Sequence, residues 1–119
     1  MELEFAIEYY EAINGKQYAR NFLDDLEVEN EELWSVTLGL IKNLKYQRYH
    51  VLPYSKPLGR GLFEIRPRVG KKLCRINYSF GGKQKIYLLN GFINKKDQER
   101  EIKKARKLLK EYKERIKNV

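Results

Sequence analysis

The chain has 119 residues, 42% hydrophobic and 34% charged, which supplies apolar surface for one folded core but too little length for a two-domain enzyme with its own cofactor module. The net charge is +9, from 25 basic and 16 acidic residues, and the longest uncharged runs, Leu33–Ile41 and Ile86–Asn94, reach nine residues, about half of a membrane span. Cys74 and His50 are the single residues of their types, which excludes an internal disulfide and a Cys/His zinc site, and the acidic opening Met1-Glu2-Leu3-Glu4 is unlike an export signal, so a cytoplasmic address with no membrane contact is expected.

Leu3, Phe5 and Ile7 alternate with Glu2, Glu4 and Ala6, the period of two expected of a strand with one buried face, here over residues 2–10. Asn14-Gly15 signals a turn. Tyr18, Phe22, Leu23 and Leu26 then recur at helical spacing, and after a short acidic break Leu33, Val36, Leu40, Ile41 and Leu44 form a second stripe, so two helices packed as a hairpin are predicted. Trp34 is assigned to the core beside that stripe and Gly39 to a point of close packing. From Tyr49 to Gly61 the periodicity fails and Pro53, Pro57, Gly59 and Gly61 appear, the pattern of a long loop. Leu62–Arg66, Leu73–Phe80 and Lys85–Phe92 read as three strands of an antiparallel meander, with turns at Val69-Gly70-Lys71 and Gly81-Gly82-Lys83. Ile102, Ala105, Leu109, Tyr112 and Ile116 lay one apolar stripe on a terminal helix. The expectation is a single α+β domain over residues 1–119, in the order β-α-α-β-β-β-α, with a small antiparallel-dominated sheet, a helical hairpin and a C-terminal helix.

The charge is unevenly distributed. Residues 1–34 carry ten acids against Lys16 and Arg20, whereas residues 35–94 carry twelve bases against one acid, Glu64. A segment with a single carboxylate has no local neutralising partners, so it generates a positive potential that suits a polyanion such as RNA, or an acidic protein. Residues 95–119 add eleven bases and five acids in a more even mixture.

Strand alternation sorts the candidate chemistry. Glu64 and Arg66 point one way and Phe63 and Ile65 the other; Arg75 and Asn77 oppose Cys74, Ile76, Tyr78 and Phe80. Arg66 and Arg75 can therefore share the sheet face turned away from the main core, although Glu64 opposite an arginine also reads as an ordinary cross-strand pair. Lys95 and Lys96 follow the last strand, and the loop supplies Lys56 and Arg60. Neither a Ser-His-Asp nor a Cys-His set can be assembled, and the basic half has only Glu64 to offer a two-metal site. What this set of residues could support is RNA cleavage without metal or cofactor, in which the substrate's 2′-OH attacks the adjacent phosphate while cations stabilise the growing negative charge.

The run Tyr54-Ser55-Lys56-Pro57-Leu58-Gly59-Arg60-Gly61-Leu62-Phe63-Glu64-Ile65-Arg66, then Arg75-Ile76-Asn77-Tyr78, Leu88-Leu89-Asn90-Gly91-Phe92-Ile93-Asn94-Lys95-Lys96 and Glu99-Arg100-Glu101-Ile102-Lys103-Lys104-Ala105, resembles the RelE/HigB toxins of the RelE/ParE superfamily, in particular their phage-derived Gp49-like branch, over residues 54–106. The resemblance implies the toxin of a type II toxin–antitoxin pair, a ribosome-dependent endoribonuclease that cuts messenger RNA in the A site and is neutralised by a HigA-like antitoxin. The family's basic positions fall on Arg66, Arg75 and Lys95. Arg66 and Arg75 would contact the scissile phosphate, Lys95 or Lys96 would stabilise charge or the leaving oxygen, and Lys56, Arg60 and Arg68 would hold flanking RNA. His50 is a candidate for proton transfer, and Tyr54 and Tyr78 for stacking on a base, although Tyr78 shares the predicted core face. The antitoxin is expected to lay an acidic or amphipathic segment over the basic groove or against the N-terminal helices. Two rivals carry different tests: a ParE-like inhibitor that binds DNA gyrase, and a basic RNA- or ribosome-binding module that leaves RNA intact.

Overall fold

A computed structural model of the chain describes residues 2–117. Two helices form from the apolar stripes near the N-terminus, α1 (Tyr18–Glu29) and α2 (Glu31–Asn43). Asn30 makes the break between them: its N–H bonds the Leu26 carbonyl to end α1, while its Oδ1 accepts from the Leu33 N–H at 3.1 Å to cap α2. Glu31 and Glu32 occupy the first turn of α2, where the helix dipole favours negative charge.

The strands are β1 (Ala6–Tyr9), β2 (Lys56–Gly59), β3 (Leu62–Ile65), β4 (Arg68–Val69), β5 (Lys72–Leu73), β6 (Arg75–Gly81) and β7 (Lys85–Phe92). Five of them form one sheet in the order β1-β7-β6-β3-β2, antiparallel except where β1 lies parallel to β7, and β4 with β5 forms a separate ribbon. The helical hairpin covers one face, burying Leu23, Leu26, Leu33 and Ile41 against Ile65, Ile76, Tyr78, Ile86 and Leu88. The last helix, α3 (Gln98–Lys117), covers the other, burying Ala105, Leu108 and Leu109 against Leu62 and Leu89. A bulge where the register shifts after Asn77 pairs Tyr78 with Leu88 and Asn77 with Asn90, so Leu89 and Asn90 both turn toward α3. The architecture is the expected α+β arrangement of sheet, hairpin and C-terminal helix.

Several sequence expectations need correction. The first strand is shorter than residues 2–10, and Leu3 is half exposed. The segment expected to be all loop contains a 3₁₀ turn (Gln47–His50) and the edge strand β2. Pro57 is tolerated there because an edge strand needs no donor on its outer side, and Gly59-Arg60-Gly61, all with positive φ, turn the chain tightly into β3. The strand expected over Leu73–Phe80 is broken at Cys74, whose N–H bonds the Pro67 carbonyl at 3.0 Å. A Cβ on Gly39 would meet nothing within 4 Å, so it is no close-packing point; that role belongs to Gly91, where a Cβ would come within 2.5 Å of the Phe22 ring. Trp34 is half-buried against the core edge, and Ile116 is exposed, the buried apolar residues of the last helix being Ala105, Leu108 and Leu109.

Candidate functional site

The alternating directions of β7, β6, β3 and β2 bring the end of β7, the start of β6, the end of β3 and the start of β2 to the same end of the sheet. One cross-strand row there reads Lys56, Glu64, Asn77, Asn90, and the next pairs Arg75 with Phe92. Arg66 follows directly on β3, and Lys95 and Lys96 lie in a 3₁₀ turn (Lys95–Asp97) just past β7. With neighbouring strands about 4.8 Å apart, the array from Lys56 to Lys95 extends roughly 15 Å across four strands. The topology thus gathers residues far apart in sequence along one rim.

Within the rim, Lys56 and Arg66 share a pocket of about 330 Å³ with Tyr54, Leu52, Pro53, Leu40 and Glu64. Glu64, the lone acid of its segment, is fully buried, and its Oε1 accepts from Arg66 Nε at 2.6 Å. That bond uses the one guanidinium donor nearest the chain and leaves the two Nη groups of a 40% exposed side chain without an ion-pair partner among the described residues. An arginine held this way is aimed rather than neutralised, because its two terminal nitrogens remain available for two parallel bonds to a phosphate. Tyr54 is exposed at the pocket wall and braced edge-on by Tyr49, ring centroids 4.8 Å apart, which leaves a face for a base.

Arg75 is differently placed. It is only 5% exposed, its guanidinium lies 5.5 Å from the centre of the Phe92 ring, and no carboxylate approaches within 4.0 Å among the described residues. Its Nε, Glu64 Oε2 and Asn77 Oδ1 are buried without a hydrogen-bond partner among the described residues, all on the α3 side of β3 and β6. Asn77 donates to Asn90 at 3.1 Å and Asn90 to the Glu101 carbonyl at 2.9 Å, extending a polar layer under the start of α3. This burial leaves the guanidinium little open surface toward the direct phosphate contact expected from sequence.

The other candidates divide. Lys95 and Lys96 line a separate shallow hollow with Gln98, Glu99 and Ile102. Arg60 sits in the turn at the opposite end of β2 from Lys56, beside Arg106, Lys110 and Lys113, and so does not join the pocket. Arg68 is exposed on the separate ribbon. His50 and Tyr78, the candidates for proton transfer and stacking, both lie buried and away from the Lys56–Arg66 pocket lining. His50 is 6% exposed, packed edge-on against Phe5 and Phe80, with Nε2 2.6 Å from the Leu44 carbonyl. Tyr78 is fully buried, donates to Ser55 Oγ at 2.6 Å, and burial pushes its hydroxyl up to about 12. Cys74 faces the core as expected, its thiol pushed up by burial. The aiming role of Glu64 was missed; the signal for it is its isolation among twelve bases.

Sheet topology and the placement of Lys56, Arg66, Lys95 and Lys96 define a small α+β protein with a cationic edge. The profile of the phage-derived Gp49-like proteins matches residues 21–112, and the chain belongs to that family, a branch of the RelE/ParE-like toxin superfamily. Membership points to the toxin half of a toxin–antitoxin pair and implies an antitoxin as partner. Comparison with curated proteins gave no match. No helix among the described residues is long and apolar enough to cross a membrane.

Proposed function

We propose that the protein is a ribosome-dependent messenger RNA endoribonuclease, the toxin of a type II pair held in check by a HigA-like antitoxin, acting in the cytoplasm where translating ribosomes are. The observation that carries this reading is the Lys56–Arg66 pocket, with the Arg66 guanidinium anchored through Nε to buried Glu64 and its Nη groups without an ion-pair partner among the described residues. The 2′-oxygen of the substrate forms a bond to the adjacent phosphorus as the bond to the 5′-oxygen breaks, leaving a 2′,3′-cyclic phosphate and a 5′-hydroxyl. The 2′-OH proton passes to solvent water and the leaving 5′-oxygen takes one proton back from solvent, so the protein's share is to hold the phosphate and stabilise its added charge. Arg66 and Lys56 do so by contact, Arg75 by its buried charge, and Lys95 or Lys96 bind flanking backbone or the leaving oxygen. Tyr54 takes a base.

The test adds purified protein to translating ribosomes on a defined message and maps new 5′ ends, comparing wild type with Arg66→Lys. Cuts confined to the ribosome-containing sample, ending in a 2′,3′-cyclic phosphate and falling by about 10² to 10³ in rate for Arg66→Lys, are expected, since lysine lacks the two-pronged geometry. Intact RNA together with inhibited gyrase supercoiling would overturn the reading in favour of the non-nucleolytic branch.

A further inference from the structure

A groove on the α3 side takes no part in the sheet-end pocket. The turn Ala12-Ile13-Asn14 forms one wall and α3 from Arg100 to Glu111 the other, with Tyr18 at the base, enclosing about 540 Å³. Its floor is aliphatic: Ala12 and Leu108 are buried, and Ile13 stands 69% exposed at the rim, a large apolar side chain with no cover. The α3 wall is cationic, with Arg100, Lys103, Lys104 and Lys107 at the three-four spacing of one helix face. Arg100 and Lys104 are already engaged by Glu101, at 3.6 and 3.7 Å, and Lys104 also covers the Tyr18 ring at 4.6 Å. Exposed Lys103 and Lys107 have no carboxylate within 4.0 Å among the described residues.

The acid in the wall does not answer them. Glu111 Oε1 is taken by the Tyr10 hydroxyl at 2.6 Å and the Ile13 N–H at 2.9 Å, and Arg115 holds the Glu11 carbonyl at 2.7 Å, so the turn is pinned against α3 and the groove is preformed. An aliphatic floor beside unpaired ammonium groups matches a ligand with both an apolar stripe and carboxylates. RNA offers the charge but has no use for the aliphatic floor, and Lys104 lies over the Tyr18 ring on which a base would stack. From Arg100 to Glu111 a helix rises about 16 Å, so the groove runs for three turns.

We propose that this groove docks an acidic amphipathic helix of about three turns, with apolar residues on Ile13 and Leu108 and carboxylates facing Lys103 and Lys107. The helix belongs to the antitoxin, and the identity of the partner rests on the toxin reading above, whereas the binding chemistry does not. Its seat is distinct from the phosphate groove expected from sequence and meets the N-terminal helices, the other expected location, only at Tyr18, the first residue of α1.

Fluorescence anisotropy on the purified full chain tests this with three labelled probes: a synthetic peptide of about twelve residues with leucine at helical spacing and glutamate between, a scrambled peptide of the same composition, and a short single-stranded RNA. The amphipathic peptide is expected to bind wild type at least about tenfold tighter than the scramble, and to lose about tenfold or more on K103E/K107E and on Ile13→Asp. Arg66→Lys should leave peptide binding unchanged. These positions are exposed, and circular dichroism of each variant checks that it is folded. Equal binding of the two peptides, indifference to K103E/K107E, or a loss of RNA binding with peptide binding unaltered would overturn the proposal. Because the readout is binding, its failure leaves RNA cleavage standing, and absence of cleavage leaves the groove standing.

Discussion

Replacing Arg66 with alanine removes the one counter-ion that a fully buried carboxylate has among the described residues, and this couples the cationic pocket to the stability of the fold. Breaking a buried ion pair from one side typically costs about 3–5 kcal/mol, because the remaining charge is stranded away from water. The Arg66 side chain is 40% exposed, so solvent already screens part of the attraction and enters when the side chain is removed. A cost of about 2–3 kcal/mol is expected for Arg66→Ala after that discount. Glu64→Gln keeps an acceptor for Arg66 Nε without the charge and should cost about 1 kcal/mol. The double variant strands no ion and should be more stable than Arg66→Ala by at least about 1 kcal/mol. Urea unfolding at neutral pH, extrapolated to water, measures all three. Arg66→Ala within about 0.5 kcal/mol of wild type, or a double variant less stable than either single, would refute the reasoning that Glu64 depends on this arginine. The same series decides whether lost cleavage reflects lost phosphate contact: Glu64→Gln leaves the guanidinium charge in place but loosens its aim, so it should slow cleavage less than Arg66→Lys.

Tyr78 carries an alkaline dependence. Its hydroxyl is raised from 10.0 to about 12 by burial, so below pH 10 it is neutral in both folded and unfolded chains; between pH 10 and 12 only the unfolded chain ionises, and stability falls as pH rises. Wild type should lose about 1.4 kcal/mol more than Tyr78→Phe between pH 8 and pH 11 in urea titrations, and parallel profiles would refute the assignment. Gly39, expected at a close-packing point, and Gly91, which occupies one, give opposite outcomes. Gly91→Ala drives a methyl group to 2.5 Å from the Phe22 ring and 2.8 Å from Ile76 Cδ1 and should destabilise by about 1–3 kcal/mol, whereas Gly39→Ala meets nothing and should stabilise α2 by about 1 kcal/mol in thermal unfolding.

The three helices were readable from local information, because an apolar stripe at helical spacing needs only a few turns of chain and a break such as Asn30 to declare itself. The same holds for the charge asymmetry, which is additive along the chain, and for the alternation that turns Glu64, Arg75 and Asn77 away from the main core. Edge strand β2 left no trace, because Pro57 and Gly59 suppress the alternating pattern and its partner across the ladder alone makes it a strand. The parallel pairing of β1 with β7 joins segments some eighty residues apart, and the bulge at Leu89 reverses the facing of Asn90, neither of which any short window contains. The site divides along the same line. That its cations exist is a matter of composition, but that Lys56 joins Arg66, that Arg60 lies at the far end of its strand, and that Arg75 and His50 are enclosed are consequences of strand order and of what packs above each side chain. Burial and proximity are long-range properties, set once the whole sheet closes.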